Sequence, residues 1–320
     1  MIKTGCKIDE VRVDGSLDVL RRDLEYFNGI GMEAIEIPVH GLDAIRNGVL
    51  DRRRLKDISD ILTGFEFEYS VHSPNPLNLM DEESASPHES VFRSSLEFTA
   101  EIGSRVMVYH AGRFIPEETF GVNGKKCLSE SERMRMLEKE QVRLRQLSLE
   151  FPEVTICIEN ARPYVYHSPY CYGERLDELN KQIALIDRPN VKMNLDIGHL
   201  NMAANFYGFD PVEAARSCGA NIVHTHVHDN FGKSVYHYEK QQTHQIPFGR
   251  GDSHMPVGWG SAPISQILSA YLETYGGMLI MELRSRYFSH TLQSNKNLLS
   301  LLSSLNVEGG SRLSVCCSKV

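Results

Sequence analysis

The chain of 320 residues is short of positive charge, with 34 Lys and Arg against 42 Asp and Glu and a formal charge of −8. A protein that grips a phosphate backbone over a broad face needs the opposite sign, so extensive nucleic-acid binding is not expected. No apolar run approaches the roughly 20 residues that span a bilayer. No long apolar targeting segment opens the chain, which sets a cytoplasmic location as the expectation. The seven cysteines are scattered apart from Cys316-Cys317 and form no CxxC pair, which argues against a disulfide framework and for reduced thiols. There is no Pro/Gly/Ser-rich linker and no close internal repeat to divide the chain. What remains, 41% hydrophobic and 24% charged, is the composition of a globular protein with a large core.

Short β-rich runs alternate with longer amphipathic stretches throughout. Strands are expected over Ile2–Ile8, Ala34–Val39, Phe65–His72, Arg105–His110, Val154–Glu159, Val191–Asp196, Ile222–His228 and Met278–Leu283. Helices are expected over Ser16–Gly31, Leu50–Leu62, Ser84–Ile102, Ser129–Phe151, Gly173–Ile186, Pro211–Cys218, Pro263–Tyr275 and Thr291–Leu305. Ser129 and Glu132 are spaced as a capping box. Eight strands, each followed by a helix, predict an α/β fold with a single (β/α)8 barrel over residues 1–306. Residues 307–320 are expected to form a poorly ordered tail. Two long loops, Ala111–Leu128 and Asn230–Gly260, follow strands four and seven, on the face where barrel enzymes build their sites.

The chemistry stands at the strand ends. Strand three ends at His72, strand four at His110, strand five at Glu159 and strand six at Asp196, with His199 just beyond. Strand seven carries His224, His226 and His228, strand eight leads to Glu282 and Arg284, and the long loop adds Asp252 and His254. A single such histidine would be read as a hydrogen-bonded core residue, and Asp196 or Glu282 alone as a cap or salt-bridge partner. Six consecutive strands placing imidazole or carboxylate at one end of a barrel point instead to a divalent-metal centre, because these are ligands of Zn²⁺ and Mn²⁺. The alternating histidines of strand seven share a face, yet only one or two of them can reach the same ion.

In order, His72, His110, Glu159, Asp196, His199, His226, Asp252, His254 and Glu282 resemble the ligand series of the xylose-isomerase-like TIM barrel family, within the endonuclease IV superfamily. The most specific pieces are His72-Ser73-Pro74, Leu195-Asp196-Ile197-Gly198-His199 and Asp252-x-His254-x-Pro256-x-Gly258-x-Gly260. In the sugar isomerase and epimerase branch the resemblance implies one metal ion on Glu159, Asp196, His226 and Glu282. Glu159 and Glu282 are there the catalytic acid and base, working through a metal-stabilised enediolate. His72, His110, His199 and Arg284 fall at substrate-contacting positions. In the endonuclease branch the resemblance implies three zinc ions, with His72, His110, His199, Asp252 and His254 as further ligands. A loop after His72 without an aromatic wedge, Ser73-Pro74-Asn75-Pro76-Leu77, and the net negative charge favour small-molecule carbohydrate chemistry. The expectation is therefore a divalent-metal-dependent (Mn or Zn, one to three ions) isomerase or epimerase, with hydrolase or lyase chemistry as the alternative. A non-catalytic sensor barrel stays open, and the resemblance makes a homodimer plausible.

Overall fold

In a computed structural model describing residues 2–82, 84–121, 128–237 and 242–309, eight parallel strands close into one barrel. They are β1 (Lys3–Lys7), β2 (Ala34–Pro38), β3 (Glu68–His72), β4 (Val106–His110), β5 (Thr155–Glu159), β6 (Val191–Asp196), β7 (Ile222–Val227) and β8 (Met278–Met281). Each lies inside the run expected for it. Every strand pairs with its sequence neighbours, and β1 closes the ring by pairing with β8, Lys3 opposite Met278 and Cys6 opposite Met281.

Alternation along each strand separates two interiors. Ile35 and Ile37 of β2 belong to the main core, which the barrel shares with helices such as Leu17–Gly29 through Leu20, Leu24 and Phe27. Met107 and Tyr109 of β4, and Ile156 and Ile158 of β5, join the same core. Ala34, Met278 and Ile280 form a separate small apolar cluster with Val106, which floors the barrel lumen. Above that floor the lumen turns polar: Glu36, Ser70, His72, Asn194, His224 and His226 are all buried. Polar groups at such depth are tolerated only with partners, so the upper lumen is specialised rather than merely packed.

Several local features depart from the expectations. The helix after Asp196, Ile197–Tyr207, lies where no helix was expected. A hairpin pairs Ile45–Arg46 with Val49–Leu50. Its turn, Asn47-Gly48, has positive φ at both residues, the conformation that this dipeptide favours. The long loop after β7 contains a short helix, Gln242–Gln245. The helix Glu130–Glu150 opens on the expected capping box of Ser129 and Glu132. The last helix, Thr291–Gly309, carries its backbone past 306, and 310–320 lie outside the described residues, as do 122–127 of the first long loop. Cys6, Cys157, Cys171 and Cys218 are buried free thiols. Among the described residues no helix is long and apolar enough to cross a membrane.

Candidate metal centre

Strand register brings distant residues side by side at the C-terminal end of the barrel. His110 is paired with Glu159 across β4 and β5, and Asp196 with His226 across β6 and β7. Glu159, Asp196, His226 and Glu282 converge so that one donor atom of each lies within 4.8 Å of the others. His226 Nδ1 is 3.4 Å from Glu159 Oε2, 3.5 Å from Glu282 Oε2 and 3.9 Å from Asp196 Oδ2. Ligands about 2.1 Å from a tetrahedral ion stand about 3.4 Å from one another, so these spacings are those of a coordination shell. His226 Nδ1 and both carboxylate oxygens of Glu159 are buried without a hydrogen-bond partner. Buried polar atoms are rarely left so, and a divalent cation satisfies all of them at once. This four-residue set therefore fits a metal ion.

Two further groups flank it. His72, His110 and Glu159 form one, and His199, His228, Asp252 and His254 the other. All nine residues singled out in the sequence thus meet at one end of the barrel. A histidine ligates through one ring nitrogen only when the other can carry the proton, and the far nitrogen's partner decides this. His72 Nδ1 lies 2.7 Å from Ser73 O, His199 Nδ1 2.9 Å from Asn160 O, and His254 Nδ1 2.9 Å from Glu282 O. Each carbonyl accepts a hydrogen bond from Nδ1–H, so in the neutral ring Nε2 carries the lone pair that can ligate an ion. His110 differs. Its Nδ1 is 3.4 Å from Arg113 Nη2, a group that can only donate, so the neutral ring in this contact carries its proton on Nε2.

The three histidines of β7 and its exit separate by level. His224 pairs with Glu36 at 3.0 Å, below the centre, whereas His226 faces the carboxylates. His228 lies beyond the strand end, 3.1 Å from Asp196 Oδ1. Although His228 is near His254 in space, the two rings stack at 3.9 Å and 11°. Lone pairs of stacked rings run parallel and do not converge on one ion. His228 therefore supports Asp196 rather than completing the outer group. A Cβ at residue 198 would lie 2.0 Å from the His228 ring, so Gly198 is the space that this ring uses. Asp196 is also the N-cap of the following helix, accepting from His199 N at 2.7 Å.

Burial alone would raise the carboxylates, but neighbours outweigh it. His226 and His110 hold Glu159 well below the usual carboxylate range, and Lys7 and His226 do the same for Glu282. Burial likewise opposes protonation of His199 and His226, yet both are raised well above an ordinary histidine, His199 by Asp196 and Asp252, His226 by Glu36 and Glu159. His110, short of such compensation, is pushed well below by burial.

Sequence reasoning missed what the first two strands contribute to the site. Lys7 of β1 donates to Glu282 Oε1 at 2.6 Å, and Glu36 of β2 lies 2.9 Å from His226 Nε2. The available signal was a charged residue inside each of the strands Lys3–Lys7 and Ala34–Pro38. Arg284 is tied by Nη2 to the backbone carbonyl of Asp252 at 2.7 Å. His254 adopts φ +44°, a conformation that non-glycine residues rarely take and that clusters at functional sites. In the loop after β5, Tyr164, His167, Tyr170 and Tyr172 are buried, whereas Arg162 faces a cavity beside Glu159 that also contains His110, Arg113, Glu117 and His199. His237, in the long loop after β7, packs edge-on against Phe120 with ring centroids 4.7 Å apart. A larger cavity of about 670 Å³ opens at the opposite end of the barrel, between residues such as Lys192, Arg216 and Tyr271, away from these ligand-type residues.

Residues 24–305 match the model of a family described as xylose isomerase-like TIM barrel. An uncharacterized protein of Methanocaldococcus jannaschii is 28% identical over 241 residues, covering 73% of this chain and 70% of its own. A D-tagatose 3-epimerase-like protein superposes with a TM-score of 0.70 at 21% identity, covering 96% of this chain and 99% of that one. An L-ribulose 3-epimerase gives 0.69 at 13% identity, with 98% and 100% covered. At these identities the structural likeness establishes the fold.

Proposed function

The chain belongs to the xylose isomerase-like TIM barrel family, and from that membership we propose that it is a divalent-metal-dependent isomerase or epimerase of sugars or sugar phosphates. The observation that carries this reading is the spacing of Glu159, Asp196, His226 and Glu282, in which His226 Nδ1 and both oxygens of Glu159 are buried without a hydrogen-bond partner. The epimerases among the structural neighbours act on ketoses by name, which supports a carbohydrate substrate here.

A divalent ion held by these four residues would act as a Lewis acid toward adjacent sugar oxygens. The proton transfer falls to the chain. Glu159 and Glu282 flank His226 Nδ1 and are both held as carboxylates, so either can remove the hydrogen from the carbon beside the carbonyl. In an isomerisation the carboxylate that takes the proton returns it to the neighbouring carbon. In an epimerisation one glutamate takes the proton from one face and the other, protonated from solvent, delivers one to the opposite face and inverts the carbon. Lys7 fixes Glu282 in place, whereas Glu159 stands 3.5 Å from His72 Nε2, the nitrogen that the Ser73 carbonyl leaves free to take its proton. The experiment is product analysis on a panel of ketoses, aldoses and their phosphates. Conversion should require added Mn²⁺ or Zn²⁺ and disappear with chelator.

A second reading, a multinuclear phosphodiester hydrolase, is favoured by the group His199, Asp252 and His254, whose tautomers suit a further ion. The contact of His110 with Arg113 counts against a third ion on His72, His110 and Glu159.

A further inference from the structure

Two arginines from different loops face the cavity beside Glu159, and neither has its full complement of acceptors. Arg113 lies three residues beyond β4 and Arg162 three residues beyond β5, with side chains 6% and 20% exposed. Their loops are tied together: Phe114 N donates to Tyr170 O at 2.8 Å, and Arg113 bridges Cys171. A guanidinium offers five N–H donors. Arg162 donates from Nη2 to the neutral oxygen of Tyr164 at 2.9 Å, and its buried Nε has no hydrogen-bond acceptor. Arg113 donates to Asn75 O and approaches His110.

The carboxylate between them is Glu117. Its Oε1 is 3.7 Å from Arg113 Nε and its Oε2 3.8 Å from Arg162 Nη2, both beyond hydrogen-bond distance. Its short contact is with the Tyr164 hydroxyl, at 2.7 Å. Asp252 Oδ2 lies 3.4 Å from Arg162 Nε, but Asp252 also belongs to the group with His199 and His254. Asp252 is held by His199 at 3.3 Å and His254 at 2.9 Å, so the carboxylate set between the two guanidiniums is Glu117, which hydrogen-bonds to neither.

On the isomerase or epimerase reading, we propose that Arg113 and Arg162 bind the phosphate group of a sugar phosphate, and that Glu117 occupies this place until the phosphate displaces it. A phosphate monoester offers three terminal oxygens and close to two negative charges near neutral pH. Those match two guanidiniums approaching from separate loops, whereas a single carboxylate needs only one fork. The cavity measures about 10 Å³ with Glu117 in position, so phosphate enters only as that side chain leaves. Its side chain is 16% exposed, which gives it a route to solvent.

The test is inorganic phosphate binding to chelator-treated protein at fixed ionic strength, followed by ³¹P line broadening and calorimetry. Removing metal keeps phosphate from binding to an ion instead. Glu117→Gln should tighten phosphate about fivefold or more, because the competing charge is gone. Arg162→Gln should weaken it at least tenfold, and Arg162→Lys should recover only part of that loss. Arg113→Gln should also weaken binding; because Arg113 anchors a loop, the Glu117→Gln result stands without it. No phosphate binding by either wild type or Glu117→Gln overturns the inference, as does binding that ignores both arginines. The two readings separate in metal-loaded protein. Turnover of neutral ketoses as efficient as that of their phosphates keeps the isomerase or epimerase and removes the phosphate subsite. No turnover of any sugar removes the activity, while the phosphate titration still decides the subsite.

Discussion

Glu36 Oε1 and His226 Nε2 lie 2.9 Å apart, both buried, on strands β2 and β7. The pair is not aligned as a hydrogen bond, but the negative charge beside Nε2 favours the proton there, and Nδ1 is turned toward Glu159, Asp196 and Glu282. The second oxygen of Glu36 takes His224 and the Ser70 hydroxyl, each at 3.0 Å, so the carboxylate itself is held still. Outer partners of ligating histidines typically contribute 10–100-fold in metal affinity. Glu36→Gln should therefore lower divalent-metal affinity by roughly that factor, measured by chelator competition, with the far-UV spectrum unchanged.

Protonation gives the second prediction. In metal-free protein His199 and His226 are raised well above the ordinary value, so both hold protons at pH 7 that metal binding must release. Calorimetry in buffers of different ionisation enthalpy should show that release, and metal affinity should climb with pH. Stability of the metal-free protein should run the other way. The contribution of a raised histidine is complete below about pH 6.5 and is lost as pH rises through its folded value. The depressed Glu159, Glu282 and Asp252 contribute above about pH 4.5 and lose that contribution as pH falls through their folded values.

Metal stoichiometry distinguishes the two outer groups. His254→Ala should remove one ion, because its Nε2 stands 2.9 Å from Asp252 with Nδ1 bonded to a carbonyl. His110→Ala should leave the metal count unchanged, because Arg113 faces its far nitrogen. Elemental analysis after reconstitution reads both.

Lys7→Met should leave the Glu282 carboxylate buried without its cation. Breaking such a pair costs about 3 kcal/mol. Urea unfolding of metal-free protein should show that loss, and saturating metal should recover much of it by taking over Glu282.

The barrel was legible because buried parallel strands announce themselves as short Val-, Ile- and Tyr-rich runs, and all eight fell where expected. The ligand set was legible because strand ends of a barrel converge whatever the intervening loops do. Glu36 and Lys7 escaped because a charged residue inside an apolar run gives no hint of which distant partner neutralises it. Arg113 escaped for another reason: where its loop sits beside Arg162 is set by tertiary contacts such as Phe114 with Tyr170. The Ile197–Tyr207 helix was hidden by its own cap, since Asp196 reads equally well as a ligand and serves both purposes.

The reaction itself is tested most directly by solvent exchange. Metal-loaded protein is incubated in D₂O with ketoses, aldoses and their phosphates, and deuterium at the carbon beside the carbonyl is followed by NMR. Wild type should place deuterium there, and Glu159→Gln and Glu282→Gln, compared at equal metal content, should abolish it. Enzyme-like cleavage of an abasic-site duplex, with no exchange into any sugar, would contradict the isomerase or epimerase and select the multinuclear hydrolase.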